Sequence, residues 1–85
     1  PAVIVSNDAA NRNLARVVVV PLTSNTERAY PGEALVSVAG QPSKAMADQI
    51  MAADKVRLKS QLGSLENSNM LAVEDAIKVH LGLPR

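Results

Sequence analysis

The chain contains no cysteine, tryptophan or phenylalanine, and its 85 residues include one tyrosine, Tyr30, and one histidine, His80. Without cysteine there is neither a disulfide framework nor a thiolate metal site. A single histidine rules out a His-rich metal site and a two-histidine acid–base pair. The net charge is only +1, so any nucleic-acid binding must come from local patches and not from bulk charge. No apolar run approaches eighteen residues and no signal-peptide pattern occurs, which excludes a membrane-spanning helix and leaves a soluble, cytoplasmic protein as the expectation.

What remains is aliphatic. The apolar share of 47% in 85 residues suits one domain, spanning 1–85, whose core must be built from valine, leucine, isoleucine, alanine and methionine. Ala2 to Val5 reads as a buried strand ended by Ser6-Asn7-Asp8. Residues 9–16 read as a polar connection holding one helical turn. Val17 to Leu22 is a second strand, buried on both faces because its apolar residues do not alternate, with Pro21 placing its end at an edge or bulge. Tyr30-Pro31-Gly32 marks a turn, EALVSV at Glu33 to Val38 follows, and Gly40-Gln41-Pro42-Ser43 reads as another turn. Ser43 to Ile50, Asp54 to Lys59 and Gln61 to Leu65 are expected as strands, the second with Lys55, Arg57 and Lys59 on one face. Met70, Val73, Ile77 and Leu81 recur at helical spacing, with Asn67 or Ser68 as cap, a Glu74–Lys78 pair outside, and Gly82 and Pro84 as the stop. Short strands followed by one helix argue α+β: a small bent sheet or partial barrel closed by a C-terminal helix.

Three groups carry candidate chemistry. Thr23-Ser24-Asn25-Thr26 follows the valine strand, and a hydroxyl on a rigid strand end is suited to a phosphate oxygen. The same residues also favour ordinary loops, where they bond their own backbone. Lys44, Asp48 and Gln49 offer a cation, a carboxylate and an amide for reading a base or moving a proton, against the plainer reading of a solvated strand face. The row Lys55, Arg57, Lys59 suits a phosphate backbone or a charged edge. His80 at the helix end is accounted for by the helix dipole, and Asp8 and Asn11 by turn chemistry.

Taken together, PAVIVSND, VVVVPLTSNT, SKAMADQI running into DKVRL, and ENSNMLAVEDAIKVHLGL resemble the MazF/PemK toxin family in order and approximate spacing over nearly the whole chain. The resemblance implies an SH3-like (CcdB/MazF-type) partial barrel of mostly antiparallel strands with a C-terminal helix, usually a homodimer. It also implies a type II toxin–antitoxin protein: a metal-independent endoribonuclease that needs no cofactor and cuts single-stranded RNA by 2′-hydroxyl attack. Its implied partner is a MazE/PemI-like antitoxin. By position, Thr23 matches the residue that holds the scissile phosphate, with Ser24 beside it. Asp48 and Gln49 match the acidic-Gln pair of the RNA groove, Asp48 also matching a carboxylate proposed as general base. The arginine that accompanies that base in the PemK branch is replaced by Met46. Lys44 is a weaker RNA-contact candidate. Family members carry a first strand, a loop and a catalytic arginine ahead of the proline that is Pro1 here, so the chain reads as N-terminally truncated and its own nuclease activity as impaired. The alternatives are a non-catalytic antitoxin-binding or dimerisation fragment and, behind it, a CcdB-like gyrase poison.

Overall fold

The valine run becomes the strand that the rest of the sheet shares. In a computed structural model describing residues 1–85, the strands are β1 (Ala2–Ile4), β2 (Arg16–Thr23), β3 (Glu33–Val38), β4 (Gln41–Met46) and β5 (Met51–Asp54). The helices are the short α1 (Asp8–Asn13) and the long α2 (Asn67–Leu81), and single 3₁₀ turns occupy Ala47–Gln49 and Lys55–Arg57. All strand pairs are antiparallel, and β2 takes three partners. Val19 to Pro21 pair with Ile4 to Ala2 of β1, while on the other side Arg16 to Val19 pair with Asp54 to Met51 of β5. Further along that second side, Leu22 and Thr23 pair with Ala45 and Lys44 of β4, which β3 extends outward. The result is a curled α+β half-barrel with α2 packed against β3.

Pro21 sits where that second side changes partner. The Val5 N–H donates to the Val18 carbonyl and the Leu22 N–H donates to the Pro1 carbonyl, so even-numbered residues of β2 face β1. Pro21 faces the opposite way, into the interval between the last β5 pair and the first β4 pair. Its missing N–H therefore removes no ladder bond. The expected edge or bulge is instead the junction of two ladders on a central strand.

The core is thin. Val20, Ala34, Val36, Ala45, Ala47, Val73 and Ala76 form one buried cluster, and Val20 and Val73 are its fully enclosed larger side chains. Val17 and Val19 are also buried and Val18 is half-buried, close to what the unalternated run predicts. From α2 the Val73 and Ala76 stripe enters the core, whereas Met70 and Ile77 are half-buried and Leu81 is exposed.

Several expectations change. The first strand forms but is largely exposed, with Ile4 at 44%, because β2 is its only strand partner. Residues 8–13 make a helix, capped by Asn7, whose side chain accepts the Ala10 N–H at 2.8 Å. The turn between β3 and β4 is Ala39-Gly40, both at positive φ (50° and 80°), so Gln41 to Ser43 already belong to a strand. That backbone is the signature of a two-residue hairpin of the primed type, reached here without its usual Asn-Gly or Asp-Gly. The expected strand over residues 43–50 stops at Met46. The expected strand over residues 54–59 is a 3₁₀ turn: the Lys55 N–H still donates to the Ala15 carbonyl at 2.9 Å, but the β2–β5 register ends at the Arg16–Asp54 pair and the chain turns at Lys55–Arg57. Lys55, Arg57 and Lys59 therefore do not share a strand face, and residues 61–65 join no ladder. The cap of α2 is Glu66, without a side-chain bond. Glu74 and Lys78 form no ion pair; instead Asp75 receives two 2.7 Å bonds from Arg85. The stop holds: Gly82 adopts φ 69°, its N–H donates to Val79 and that of Leu83 to Lys78, which is a Schellman closure. No helix is long and apolar enough to cross a membrane.

Because the space around a Gly82 β-carbon is empty, Gly82→Ala tests backbone conformation alone and is expected to cost about 1 kcal/mol. Val20→Ala removes two enclosed methyl groups from a core of few residues and is expected to cost about 2 kcal/mol. Urea unfolding of both variants checks the order of the two losses.

Candidate active site

The register of the sheet sets up one polar face. Thr23 lies opposite Lys44, and Lys44 lies opposite Leu35, so the three form a row across β2, β4 and β3. Their neighbours Leu22, Ala45, Ala34 and Val36 belong to the core. Alternation then turns Thr23, Lys44 and Leu35 to the other side of the sheet. Leu35 is accordingly exposed, at 55%.

Thr23 is half-buried, and its Oγ1 accepts the Asn25 N–H at 3.2 Å. Asn25 Oδ1 accepts the Glu27 N–H at 3.3 Å in turn. Both bonds use acceptor lone pairs, which leaves the Thr23 hydroxyl proton free to donate. Ser24 is exposed at the bend that follows and forms no side-chain hydrogen bond.

Lys44 is committed within the chain. Its Nζ donates to the Arg28 carbonyl at 2.9 Å and stands 3.5 Å from Glu33 Oε2, with the two side chains only 12% and 10% exposed. The other carboxylate oxygen of Glu33 accepts the Tyr30 N–H at 2.9 Å, and the Glu33 N–H donates to the Tyr30 carbonyl at 2.8 Å. Residues 24–32 thus form a loop tied down at Arg28 and Tyr30 by one ion pair. Lys44 acts here on the loop and is not a free surface cation. Glu33 and Arg28 escaped the sequence reading, since a glutamate at a strand start and an arginine in a polar loop carry no spacing signal.

Asp48 and Gln49 lie in the 3₁₀ turn after β4 and not on a strand face. The Asp48 N–H donates to the Gly32 carbonyl at 3.2 Å, bringing the exposed carboxylate beside the Tyr30–Glu33 turn. His80 reaches the same place from α2: a β-carbon on Gly32 would stand 3.5 Å from His80 Nδ1 and 3.6 Å from Asp48 Cβ. Gln49 Nε2 points to Met46 Sδ at 3.4 Å. The structure therefore joins Thr23 to Lys44 directly and links Asp48 to the far end of the same loop. Thr23 and Asp48 share no hydrogen bond. Asn11 is bound to Ser6 through its amide and the Ser6 hydroxyl, and the Val18 N–H donates to that hydroxyl at 3.0 Å, so these residues anchor α1 to β2. A recess of about 630 Å³ lies between β1, α1, residues 58–65 and the start of α2; Asp8 and Asn11 line it, and Thr23, Ser24, Lys44, Asp48 and Gln49 do not.

The fold is a curled antiparallel α+β half-barrel with a C-terminal helix, and it carries a threonine at the end of its central strand. The family described as PemK-like, MazF-like toxin of type II toxin–antitoxin systems matches residues 1–81, and the chain belongs to that family. It is 36% identical to a Mycobacterium tuberculosis protein named endoribonuclease MazF9, over 98% of this chain and 78% of that protein. It is 32% identical to endoribonuclease MazF of Staphylococcus epidermidis, over 98% of this chain and 73% of that protein. A mycobacterial endoribonuclease solved with its cognate antitoxin superposes on the whole chain and 82% of its own length, with a TM-score of 0.89 and 35% identity. The MazE–MazF complex of Deinococcus radiodurans, 24% identical, shares the fold with a TM-score of 0.83 over 99% of this chain and 82% of its own.

The loop anchor predicts its own stability cycle. Lys44→Met leaves the Glu33 carboxylate enclosed and unpaired and is expected to cost about 3 kcal/mol. Lys44→Met with Glu33→Gln is expected to recover more than half of that, read as urea midpoints. Equal losses in the single and double variants would show that the pair does not hold the loop.

Proposed function

We propose that the protein is the toxin of a type II toxin–antitoxin pair and an endoribonuclease acting on single-stranded RNA. The ribose 2′-oxygen attacks the adjacent phosphorus and the bond to the 5′-oxygen breaks; a cyclic phosphate results, and the departing 5′-oxygen takes a proton from solvent to give a 5′-hydroxyl. No water is consumed in that step. The observation that carries the reading is the Thr23 hydroxyl. It is fixed at the end of the buried central strand by the Asn25 N–H and retains a proton for a non-bridging phosphate oxygen. Such a donor is most useful where charge grows on that oxygen in the transition state. Asp48 is the carboxylate that takes the 2′-hydroxyl proton, and Ser24 and Gln49 contact the RNA.

The relatives named as endoribonucleases support the reaction, and the mycobacterial toxin solved with its antitoxin supports the partner. An acidic antitoxin segment that orders on binding suits the apolar side chains left exposed on this chain, among them Ile4, Met51, Leu58 and Leu71. A second copy of the chain draws on the same kind of surface. Such a toxin acts in the bacterial cytoplasm.

The full-length protein is expected to cut 5′-labelled single-stranded RNA to products ending in a cyclic phosphate. Thr23→Ala is expected to slow cleavage roughly 10²- to 10³-fold with an unchanged melting temperature. Cleavage by Thr23→Ala at the wild-type rate would remove the proposal.

A further inference from the structure

We infer that Arg28 is a further phosphate-binding residue of this site and that Lys44 is the residue that positions it. The inference rests on the reading that RNA meets the sheet at Thr23, and it concerns which cation that end supplies. Between the start of β2 and the end of β4 the chain carries three cations: Arg16, Arg28 and Lys44. Arg16 is paired with Asp54 at 3.1 Å, at the opposite end of β2 from Thr23. Lys44 is enclosed and neutralised by Glu33. Arg28 is exposed, and its guanidinium forms no hydrogen bond or ion pair. A polyanion arriving at this end therefore meets one uncommitted cation on this strand–loop unit.

The position of Arg28 is not left to a loose loop. Its carbonyl is held by Lys44 Nζ at 2.9 Å, and Lys44 is the cross-strand partner of Thr23. The backbone of Arg28 thus lies within one lysine side chain of the β4 position that faces Thr23. On the near side, the two consecutive side-chain-to-backbone turns at Thr23 and Asn25 fix the path from the strand into the loop. On the far side, Glu33 fixes Tyr30. Anchoring on both sides lowers the ordering cost of recruiting the guanidinium. A guanidinium offers paired donors that match two oxygens of one phosphate, and it is weakly hydrated enough to leave water for that contact. The ligand class is an RNA phosphodiester flanking the one held by Thr23. Lys44, a weaker RNA-contact candidate by family resemblance, acts instead through the Arg28 backbone.

The test uses the full-length protein and a 2′-O-methyl copy of an RNA that it cuts, so that binding is read without cleavage. One lost phosphate contact lowers the salt slope of binding by about 0.7 for a single strand, which corresponds to roughly fivefold weaker binding at about 0.1 M salt. Arg28→Gln is expected to show both changes with no shift in melting temperature, and Arg28→Lys to recover most of the slope. Lys44→Met is expected to weaken binding by a similar factor, and the double variant with Arg28→Gln to fall short of the product of the two. If Arg28→Gln binds with the wild-type affinity and salt slope while Thr23→Ala no longer cuts, Arg28 is excluded and the proposed function stands. If losses from Arg28→Gln and Lys44→Met multiply in full, Lys44 does not act through Arg28. Wild-type cleavage by Thr23→Ala removes the functional reading itself, whatever the binding curves show.

Discussion

Eight residues of β2 serve β1 on one side and, on the other, first β5 and then β4, and the half-barrel depends on that change of neighbour. A strand whose second neighbour changes midway has one position at which no ladder bond is due. Proline is the residue that loses nothing there. Before it, Val17, Val19 and Val20 bury their side chains and fix the strand. After it, two residues suffice to hand the chain over to β4, and the strand ends at Thr23. The core that immobilises Val20 therefore lies three residues from the hydroxyl proposed to meet phosphate. Rigidity at that distance is what places a small side chain reproducibly, since Thr23 has a single rotatable bond before its oxygen.

The loop beyond Thr23 has no apolar anchor of its own, because its residues 24–32 hold one large apolar group, Tyr30, which is 58% exposed. Its order comes from polar groups in series: Thr23 to Asn25, Asn25 to Glu27, Lys44 to Arg28, and Glu33 to Tyr30. Of these, the Glu33–Lys44 pair is the one shielded from solvent, so it is the least weakened by salt. The exposed Arg16–Asp54 and Asp75–Arg85 pairs have no comparable standing, since ion pairs in water contribute little. A domain with one thin core has thus used its best-enclosed ion pair to hold a loop and not to hold two core elements together.

The parts of the fold legible in sequence were the unalternated valine run, the helix announced by Met70, Val73, Ile77 and Leu81, and the Gly82 stop, which followed from backbone chemistry. Of that helical stripe Val73 is buried, Met70 and Ile77 are half-buried and Leu81 is exposed. What was misread has a common cause. Alternation in residues 43–50 and 54–59 is compatible with a strand only while a partner strand is available. The β2 ladder runs out at Arg16, and the β3 ladder runs out at Glu33 opposite Met46. Availability of a partner is a tertiary fact that local pattern does not carry. The Ala39-Gly40 turn was missed because Ala39 adopts a positive φ that its side chain disfavours, and the paired ladder supplies what its own propensity does not. At the candidate site, the position of Thr23 at the end of the valine strand was legible from its place after Val-Pro. The engagement of Lys44 was not, because Glu33 is eleven residues away and meets it only once β3 and β4 are in register.

The plain and the functional readings of Thr23-Ser24-Asn25-Thr26 were set against each other as alternatives, yet the first is present in a form compatible with the proposed second. Thr23 and Asn25 do bond their own backbone, as loop residues of these types commonly do. Each does so by accepting, and an accepted hydrogen bond orients the remaining O–H of a hydroxyl without engaging it. A threonine left free in solution would have to lose rotamer freedom and exchange a water when a phosphate arrived. Here the Asn25 N–H has already restricted that freedom, and the partner it supplies adds polarisation in the direction a donor needs. Ordinary turn chemistry at the end of a rigid strand is, on this argument, the cheapest route by which so small a domain obtains a preorganised donor. The same economy extends to Arg28, whose backbone is fixed by a lysine that the sheet register already places beside Thr23.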